Sequence, residues 1–247
     1  LLFDVLVIDK NIKWRDIMYT FDSRIRYSET DKDGRLSLNG IINYMQDCTN
    51  FQSEDIGVGI DFLNERQVMW VLNSWQIVID DYPFMGEDIT IGTQSYGYEK
   101  MFGYRNFLIT KQDGSRVAVA NSVWVLMDLK KKRPMIITPE YGDVYGKYEP
   151  LEMDYAPRKI KVPEGGEEGE RFKVKEYHLD TNNHVNNGQY VRMAMIASGV
   201  SKRVRELRVE YKKQAVLGDV IVPVIYKKDN ETFVSLNEED GKPYAIV

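Results

Sequence analysis

Residues 180–190 read Asp-Thr-Asn-Asn-His-Val-Asn-Asn-Gly-Gln-Tyr, which sets a carboxylate, an amide and an imidazole at alternate positions: Asp180, Asn182 and His184. Histidine is the side chain most readily poised to take up or release a proton near neutral pH. A nearby carboxylate can polarise water or hold the imidazole, and an amide can fix the attacking water or donate to a developing oxyanion. No serine or cysteine adjoins the cluster, so the chemistry it suits is attack by activated water rather than by a side-chain nucleophile. Taken singly, these residues are ordinary. Asp-x-Asn before a helix is a common turn and capping pattern, and a lone histidine at a helix entry is often structural. His178, just upstream in a strand-like segment, reads as structural, and Asn186 and Asn187 read as caps.

An earlier stretch has the same framework without the histidine: Asp31-Lys-Asp-Gly-Arg-Leu-Ser-Leu-Asn-Gly-Ile. Setting Asp31 on Asp180 puts Arg35 on His184, Leu36 on Val185, Ser37 on Asn186 and Ile41 on Tyr190. The repeat continues downstream, where Trp75 to Gly86 matches Leu207 to Gly218 in apolar alternation, closing glycine and acidic follow-on. Its period is far longer than that of a solenoid, so it reads as a domain duplication with one chemical and one supporting half.

Each half needs elements that hold the motif. Ser37 is a plausible N-cap, and Ile41, Tyr44, Met45, Cys48 and Phe51 recur at helical spacing up to Gly57. In the second half Asn186 or Asn187 can cap, with Tyr190, Met193, Ala194 and Ala197 on one face and Gly199 closing. Period-two alternation then predicts strands at Trp75–Ile79, at Ile89 and Ile91, and across 102–110 and 117–127, joined at Asp113-Gly114, a strong hairpin signal. Leu207, Val209 and Tyr211, then Val220, Val222 and Val224, repeat the pattern. The expected fold class is α+β: one long helix packed on a strongly curved antiparallel sheet, twice.

At 247 residues, with 43% hydrophobic and 12% aromatic content, the chain can bury sizeable cores. Its single cysteine, Cys48, excludes an intramolecular disulfide and reads as a small buried hydrophobe; together with two histidines it leaves too few soft ligands for a zinc site. No metal is expected. No apolar run approaches the ~20 residues of a membrane span. Residues 1–8 are too short, and broken by Asp4, to read as a secretion signal, and residues 1–17 read as an extension outside the duplicated unit. The expected compartment is the cytoplasm. Pro150, Pro157, Pro163, Gly165, Gly166, Gly169 and an acidic run from Glu164 to Glu170 mark a surface linker. The expected organisation is an N-terminal domain over 18–144, a linker over 145–170 and a C-terminal domain over 171–247.

The motif Asp180-x-Asn182-x-His184-Val-Asn-Asn, Tyr190 and Val209-Glu-Tyr-Lys-Lys resemble the C-terminal half of acyl-ACP thioesterases. Asn43-Tyr-Met-Gln-Asp, Trp70-Val-Leu, Val78-Ile-Asp-Asp-Tyr-Pro and Ser122-Val-Trp-Val-Leu-Met-Asp resemble the first half, so the likeness covers about residues 20 to 247. The resemblance implies a tandem (double) hotdog fold, each helix wrapped by its sheet. It implies hydrolysis of the thioester joining a fatty acyl chain to the phosphopantetheine arm of acyl carrier protein, which ends chain elongation and releases a free fatty acid. Asp180, Asn182 and His184 would be its catalytic residues. The substrate brings the phosphopantetheine, so no cofactor is expected.

One departure bears on the mechanism. Plant members carry an acidic residue followed by cysteine after Tyr-x-x, where this chain has Gln214 and Ala215. Gln214 cannot act as a base but can hold a water or donate to a carbonyl, so it is weighed as an accessory site residue against a plain surface strand position. Arg35 is expected to have no catalytic task; Met45, Met69, Trp70, Trp75 and Phe107 are candidates to wall the acyl tunnel.

The net charge of −5 means that an acidic carrier protein needs a local basic patch, with candidates at Lys130 to Arg133, at Arg158, Lys159 and Lys161, and at Lys202, Arg203 and Arg205. A pI near 5.3 without a basic stripe excludes nucleic acid as the expected partner. Paired halves already supply a two-fold unit, so a monomer or a homodimer is expected. Two alternatives keep the fold: an acyl-CoA thioesterase, and a non-catalytic protein that binds acyl thioesters as a sensor.

Overall fold

The computed structural model describes residues 17–247; of the expected N-terminal extension, residues 1–16 lie outside the described residues. The first half contains β1 (Tyr19–Arg24), α1 (Leu38–Asp55), α2 (Ile60–Arg66), β2 (Val68–Ile79), β3 (Asp88–Glu99), β4 (Phe102–Lys111) and β5 (Arg116–Asp128). A short β6 (Arg133–Pro134) and α3 (Pro139–Gly142) lead into the linker, which contains β7 (Glu167–Glu168). The second half contains β8 (Phe172–Lys173), α4 (Asn187–Ser198), β9 (Glu206–Tyr211), β10 (Val220–Lys228), β11 (Glu231–Asn237) and β12 (Pro243–Ile246).

The expected helices form with their expected caps. Ser37 accepts the Gly40 N–H at 3.0 Å to start α1, and Asn186 accepts the Gly188 N–H at 2.9 Å to start α4. Gly199 closes α4 at φ 64°, a backbone conformation that glycine adopts without strain. Helix α1 ends at Asp55, two residues before Gly57. Phe51 is 47% exposed rather than buried on the helix's apolar face, and packs edge-on against Phe21 of β1 at 5.2 Å.

The two sheets expected from sequence are continuous. Along one path the order is β1-β3-β4-β5-β2-β9-β12-β11-β10-β7, antiparallel throughout. The joint is β2 against β9, with Trp75 opposite Val209, Gln76 opposite Arg208 and Ile77 opposite Leu207. Since Gln76 and Arg208 are equivalent positions of the repeat, a pseudo-two-fold axis passes between them. A second equivalent pair meets where the helices approach: the Asn39 side chain faces Gly188, and a Cβ on Gly188 would lie 2.8 Å from Asn39 Oδ1. One continuous core runs through both halves, with Ile41, Met45, Trp75 and Phe107 from the first and Tyr190, Met193, Val209 and Leu236 from the second. Burial of this apolar surface supplies the main stabilisation.

The linker crosses the outer face of the sheet as a strap. Gln94 donates to Glu149 O (2.6 Å), Asn106 Oδ1 accepts Leu151 N–H (3.0 Å), and Gln76 both donates to Asp154 O (2.7 Å) and accepts Ala156 N–H (2.8 Å). Glu210 accepts Ile160 N–H (2.9 Å), and Arg208 donates to the carbonyls of Pro157 and Lys159. Gln76, Gln94, Asn106 and Glu210 are buried, and with the half-buried Arg208 they satisfy backbone groups of a segment that has almost no ladder of its own.

Candidate functional site

The motif loop enters α4 through a short 3-10 turn, Glu176–His178, so His178 lies in that turn and not in a strand. Its Nδ1 accepts Lys175 N–H at 3.1 Å, and burial together with the charges of Lys175 and Arg192 holds its pKa below the ordinary imidazole value. The loop that follows is closed by one carboxylate oxygen. Asp180 Oδ1 accepts Asn182 N–H (2.8 Å) and His184 N–H (3.2 Å), while Asp180 N–H donates to His184 O (2.8 Å). Asn183 sits at φ 60°, a conformation that asparagine tolerates better than most residues. Val185 N–H then donates to Ala215 O at 2.9 Å, which brings the segment after β9 against the loop.

The structure therefore gathers Asp180, Asn182 and His184 into one turn at the N-terminus of α4 and sets Gln214 one residue from its backbone partner. Gln214 is exposed in the loop after β9, so the strand alternative weighed for it is wrong: strand pairing ends at Tyr211, and the chain turns to meet Val185. The three motif side chains are not bonded to one another among the described residues: Asn182 is exposed, Asp180 is engaged by backbone, and His184 Nδ1 is buried without a hydrogen-bond partner. A buried imidazole nitrogen left unsatisfied is costly, and is the kind of group a substrate or water completes.

The first half repeats this construction bond for bond. Asp31 Oδ1 accepts Asp33 N–H (2.9 Å) and Arg35 N–H (3.1 Å), Asp31 N–H donates to Arg35 O (2.7 Å), and Leu36 N–H donates to Pro83 O (2.8 Å). Gly34 takes the left-handed position of Asn183, at φ 72°. The difference is in the side chain: Arg35 donates to Tyr82 O at 2.7 Å and stacks 3.7 Å from the Phe84 ring, whereas His184 Nδ1 has no partner among the described residues.

Residues to which the sequence reading gave no site role hold the loop from behind. Tyr190 OH accepts Ala215 N–H at 2.8 Å, its ring packs edge-on to Tyr211 at 5.8 Å, and Tyr211 OH donates to Asn187 O at 3.0 Å. Asn187 also reaches the other half, donating to Gln46 Oε1 of α1 at 3.1 Å. Asn39 Oδ1 is a second buried acceptor without a partner among the described residues. The tunnel candidates divide: Met45, Trp75 and Phe107 lie in the main core, whereas Trp70 packs in a separate cluster with Val68, Leu126, Ile137 and Tyr141.

Two paired halves, each a helix wrapped by antiparallel strands and sharing one sheet, define a double hotdog. Family models described as the acyl-ACP thioesterase N-terminal and C-terminal domains match residues 16–145 and 163–242. The chain belongs to the acyl-ACP thioesterase family. It is 24% identical over 241 residues to the chloroplastic palmitoyl-acyl carrier protein thioesterase of Gossypium hirsutum, covering 90% of this chain and 58% of that protein. Against that of Arabidopsis thaliana it is 25% identical, covering 77% of this chain and 50% of the relative, so it spans about half the length of such relatives. Among solved structures it is similar in fold to an acyl-ACP thioesterase from Bacteroides thetaiotaomicron (TM-score 0.84, 24% identity, 95% of this chain and 98% of that one). It is also similar in fold to the 12:0-ACP thioesterase from Umbellularia californica (TM-score 0.80, 19% identity, 93% and 95%).

Proposed function

We propose that the chain hydrolyses the thioester of fatty acyl-ACP, with His184 as proton acceptor for an attacking water and Asp180 and Asn182 as its catalytic partners. The observation that carries this reading is the contrast between the two copies of one loop. In the first the arginine is bonded and stacked, while in the second the histidine keeps a buried nitrogen without a partner among the described residues. The N-terminus of α4 adjoins the loop, and the partial positive charge at a helix start favours the oxyanion that forms when water attacks the thioester carbonyl. Collapse of that intermediate expels the pantetheine thiol and leaves a free fatty acid. Gln214, on the segment held against Val185, supplies an amide where plant members carry an acidic residue, so the basic step falls to His184 with Asp180 beside it. No cofactor or metal is assigned, since the phosphopantetheine arrives with the substrate.

The carrier is acyl carrier protein, an acidic partner. Some of the expected basic contacts are already engaged within the chain. Arg158 is committed to Asn73 (2.7 Å) and the Phe102 ring, Arg203 to Asp31 and Asp33, and Arg205 to the Asp80 carbonyl. Lys175 and Arg192, whose charges act on His178, are exposed and without an ion pair among the described residues. They join the exposed Lys130, Lys132, Arg133, Lys159, Lys161 and Lys202 as candidate contacts.

The test is release of free fatty acid from a panel of acyl-ACPs and the matching acyl-CoAs, wild type beside His184→Ala. Fast release from acyl-ACP that depends on His184 supports the reading. Equal rates on both carriers replace it with an acyl-CoA thioesterase, and acyl binding without release from either replaces it with a sensor.

A further inference from the structure

We propose that the Tyr190 hydroxyl is a positioning residue of the site, acting through Ala215 to hold Gln214 beside His184; this rests on the hydrolytic reading above. The residue that flanks Gln214 is fixed at both of its backbone groups. Ala215 N–H goes to Tyr190 OH at 2.8 Å, and Ala215 C=O takes the N–H of Val185 at 2.9 Å. Val185 follows His184 directly and Ala215 follows Gln214, so these two bonds set the spacing between the two candidate site residues. Tyr190 is only 2% exposed and Ala215 fully buried, which shields both bonds from competing water.

The duplicated half shows what the same framework does without chemistry to perform. Leu36 N–H still bonds the carbonyl of Pro83, the counterpart of Ala215, at 2.8 Å. There, however, the donor and the acceptor of the second bond are both absent: proline has no N–H, and Ile41 stands where Tyr190 does. A buried N–H needs a partner, and proline removes the need. A second proline at 215 would therefore have satisfied the fold. The half with the histidine instead keeps the N–H and places a buried tyrosine hydroxyl on it, in the same half in which Arg35 gives way to His184 and Tyr82 to Gln214. Proline also restricts the backbone of the residue before it. The Tyr190 bond fixes position 215 and leaves Gln214 free of that restriction. Burial pushes the Tyr190 pKa up to about 12, so the hydroxyl stays neutral, and the edge-on contact with Tyr211 at 5.8 Å fixes its ring.

The test is a cycle of Tyr190→Phe, Gln214→Ala and the double variant, read as kcat and KM for acyl-ACP, with thermal melting and circular dichroism for each. Tyr190→Phe is expected to lower kcat by roughly ten- to a hundred-fold, the range set by one buried bond left unmade, with KM within about threefold. The double variant is expected to be no slower than the slower single one, because Tyr190 acts through Gln214. Tyr190→Phe with Ala215→Pro copies the first half and leaves no N–H unpaired; it serves if Tyr190→Phe does not fold. It is expected to recover the melting temperature and not kcat. Effects that multiply in the double variant, or recovery of kcat together with melting temperature, would overturn the proposal. Wild-type turnover that is lost in His184→Ala and unchanged in Tyr190→Phe would leave hydrolysis standing and remove the positioning role. No wild-type turnover would remove the hydrolytic reading, and the positioning role falls with it.

Discussion

Because one chain holds two copies of the same carboxylate-closed turn, it contains its own control for Asp180. Asp31 and Asp180 each accept two backbone N–H groups, at 2.9 and 3.1 Å in the first half and 2.8 and 3.2 Å in the second. A hydrogen bond to a charged group contributes ~1.5–3 kcal/mol when buried, and about 0.5–1 kcal/mol is reasonable for turns as open as these. Two bonds per turn then amount to ~1–2 kcal/mol. For a chain of this size, about 2–4 °C of melting temperature follows each kcal/mol. Asp31→Ala and Asp180→Ala should therefore each melt roughly 2–8 °C below wild type, the first slightly further because it also releases Arg203, 3.6 Å away. Their activities should diverge. Asp31→Ala should keep turnover of acyl-ACP within about threefold, whereas Asp180→Ala should lose at least about a hundredfold, the scale of a displaced acid–base group. Asp180→Asn keeps an acceptor at Oδ1 and removes the charge, so it should recover most of the stability and little of the activity. Equal loss of activity in Asp31→Ala and Asp180→Ala would show that the carboxylate only shapes the turn. Full activity in a folded Asp180→Ala would remove it from the mechanism.

Other expectations concern the surroundings. His178 has a folded pKa below that of the unfolded chain, so its contribution is complete above about pH 6.5 and is lost as pH falls through the folded value. Urea midpoints at pH 7.5, 6 and 5 should fall more steeply for wild type than for His178→Asn, and parallel slopes would refute this. Cys48 is fully buried, its Sγ 3.8 Å from the Ile91 carbonyl and its pKa pushed up to about 12 by burial. It should resist iodoacetamide in the native protein and react after unfolding, and Cys48→Ala should keep turnover at a cost of ~1 kcal/mol; native alkylation with loss of activity would contradict that. Lys175→Glu and Arg192→Glu should raise KM for acyl-ACP and leave a small thioester analogue unchanged. Equal effects on both substrates would exclude them as carrier contacts.

The parts legible in the sequence were those with a local signal. Apolar spacing and capping residues pointed to both long helices, alternation to β2 through β5, β9 and β10, and Asp113-Gly114 to the hairpin that joins β4 and β5. The motif turn was legible because its closing bonds run within five residues, from Asp180 to His184. What escaped was set by distant segments. Tyr190 read as a residue of a helix face and of the family motif, with no task for its hydroxyl, which Ala215, 25 residues on, reaches with its N–H. Arg105 is buried with no carboxylate partner among the described residues, held by Gln52 Oε1 at 2.5 Å, Thr93 Oγ1 at 3.0 Å and the Tyr145 ring. Alternation with Phe107 and Ile109 places it on the inner face of β4, yet only the packed structure brings it to the C-terminal end of α1, where the helix dipole favours a cation. Which residues of the basic clusters are engaged was not legible, because composition records charge and says nothing of commitments such as that of Arg203 to Asp31 and Asp33.

The meeting of Asn39 with Gly188 on the pseudo-axis has an evolutionary consequence. In a symmetric dimer of identical chains, whatever residue stands on the axis must face itself. Two asparagines there would collide at a separation that leaves 2.8 Å for a single added Cβ, and two glycines would leave a gap. Fusing the copies into one chain lifts that constraint, since each position can then mutate against a different neighbour. An asparagine packed on a glycine at this point is thus available to a tandem protein and closed to a symmetric dimer of identical chains. The same freedom allows one loop to carry arginine where its twin carries histidine. Linking the halves removes the symmetry that ties the sequences of a two-fold dimer together.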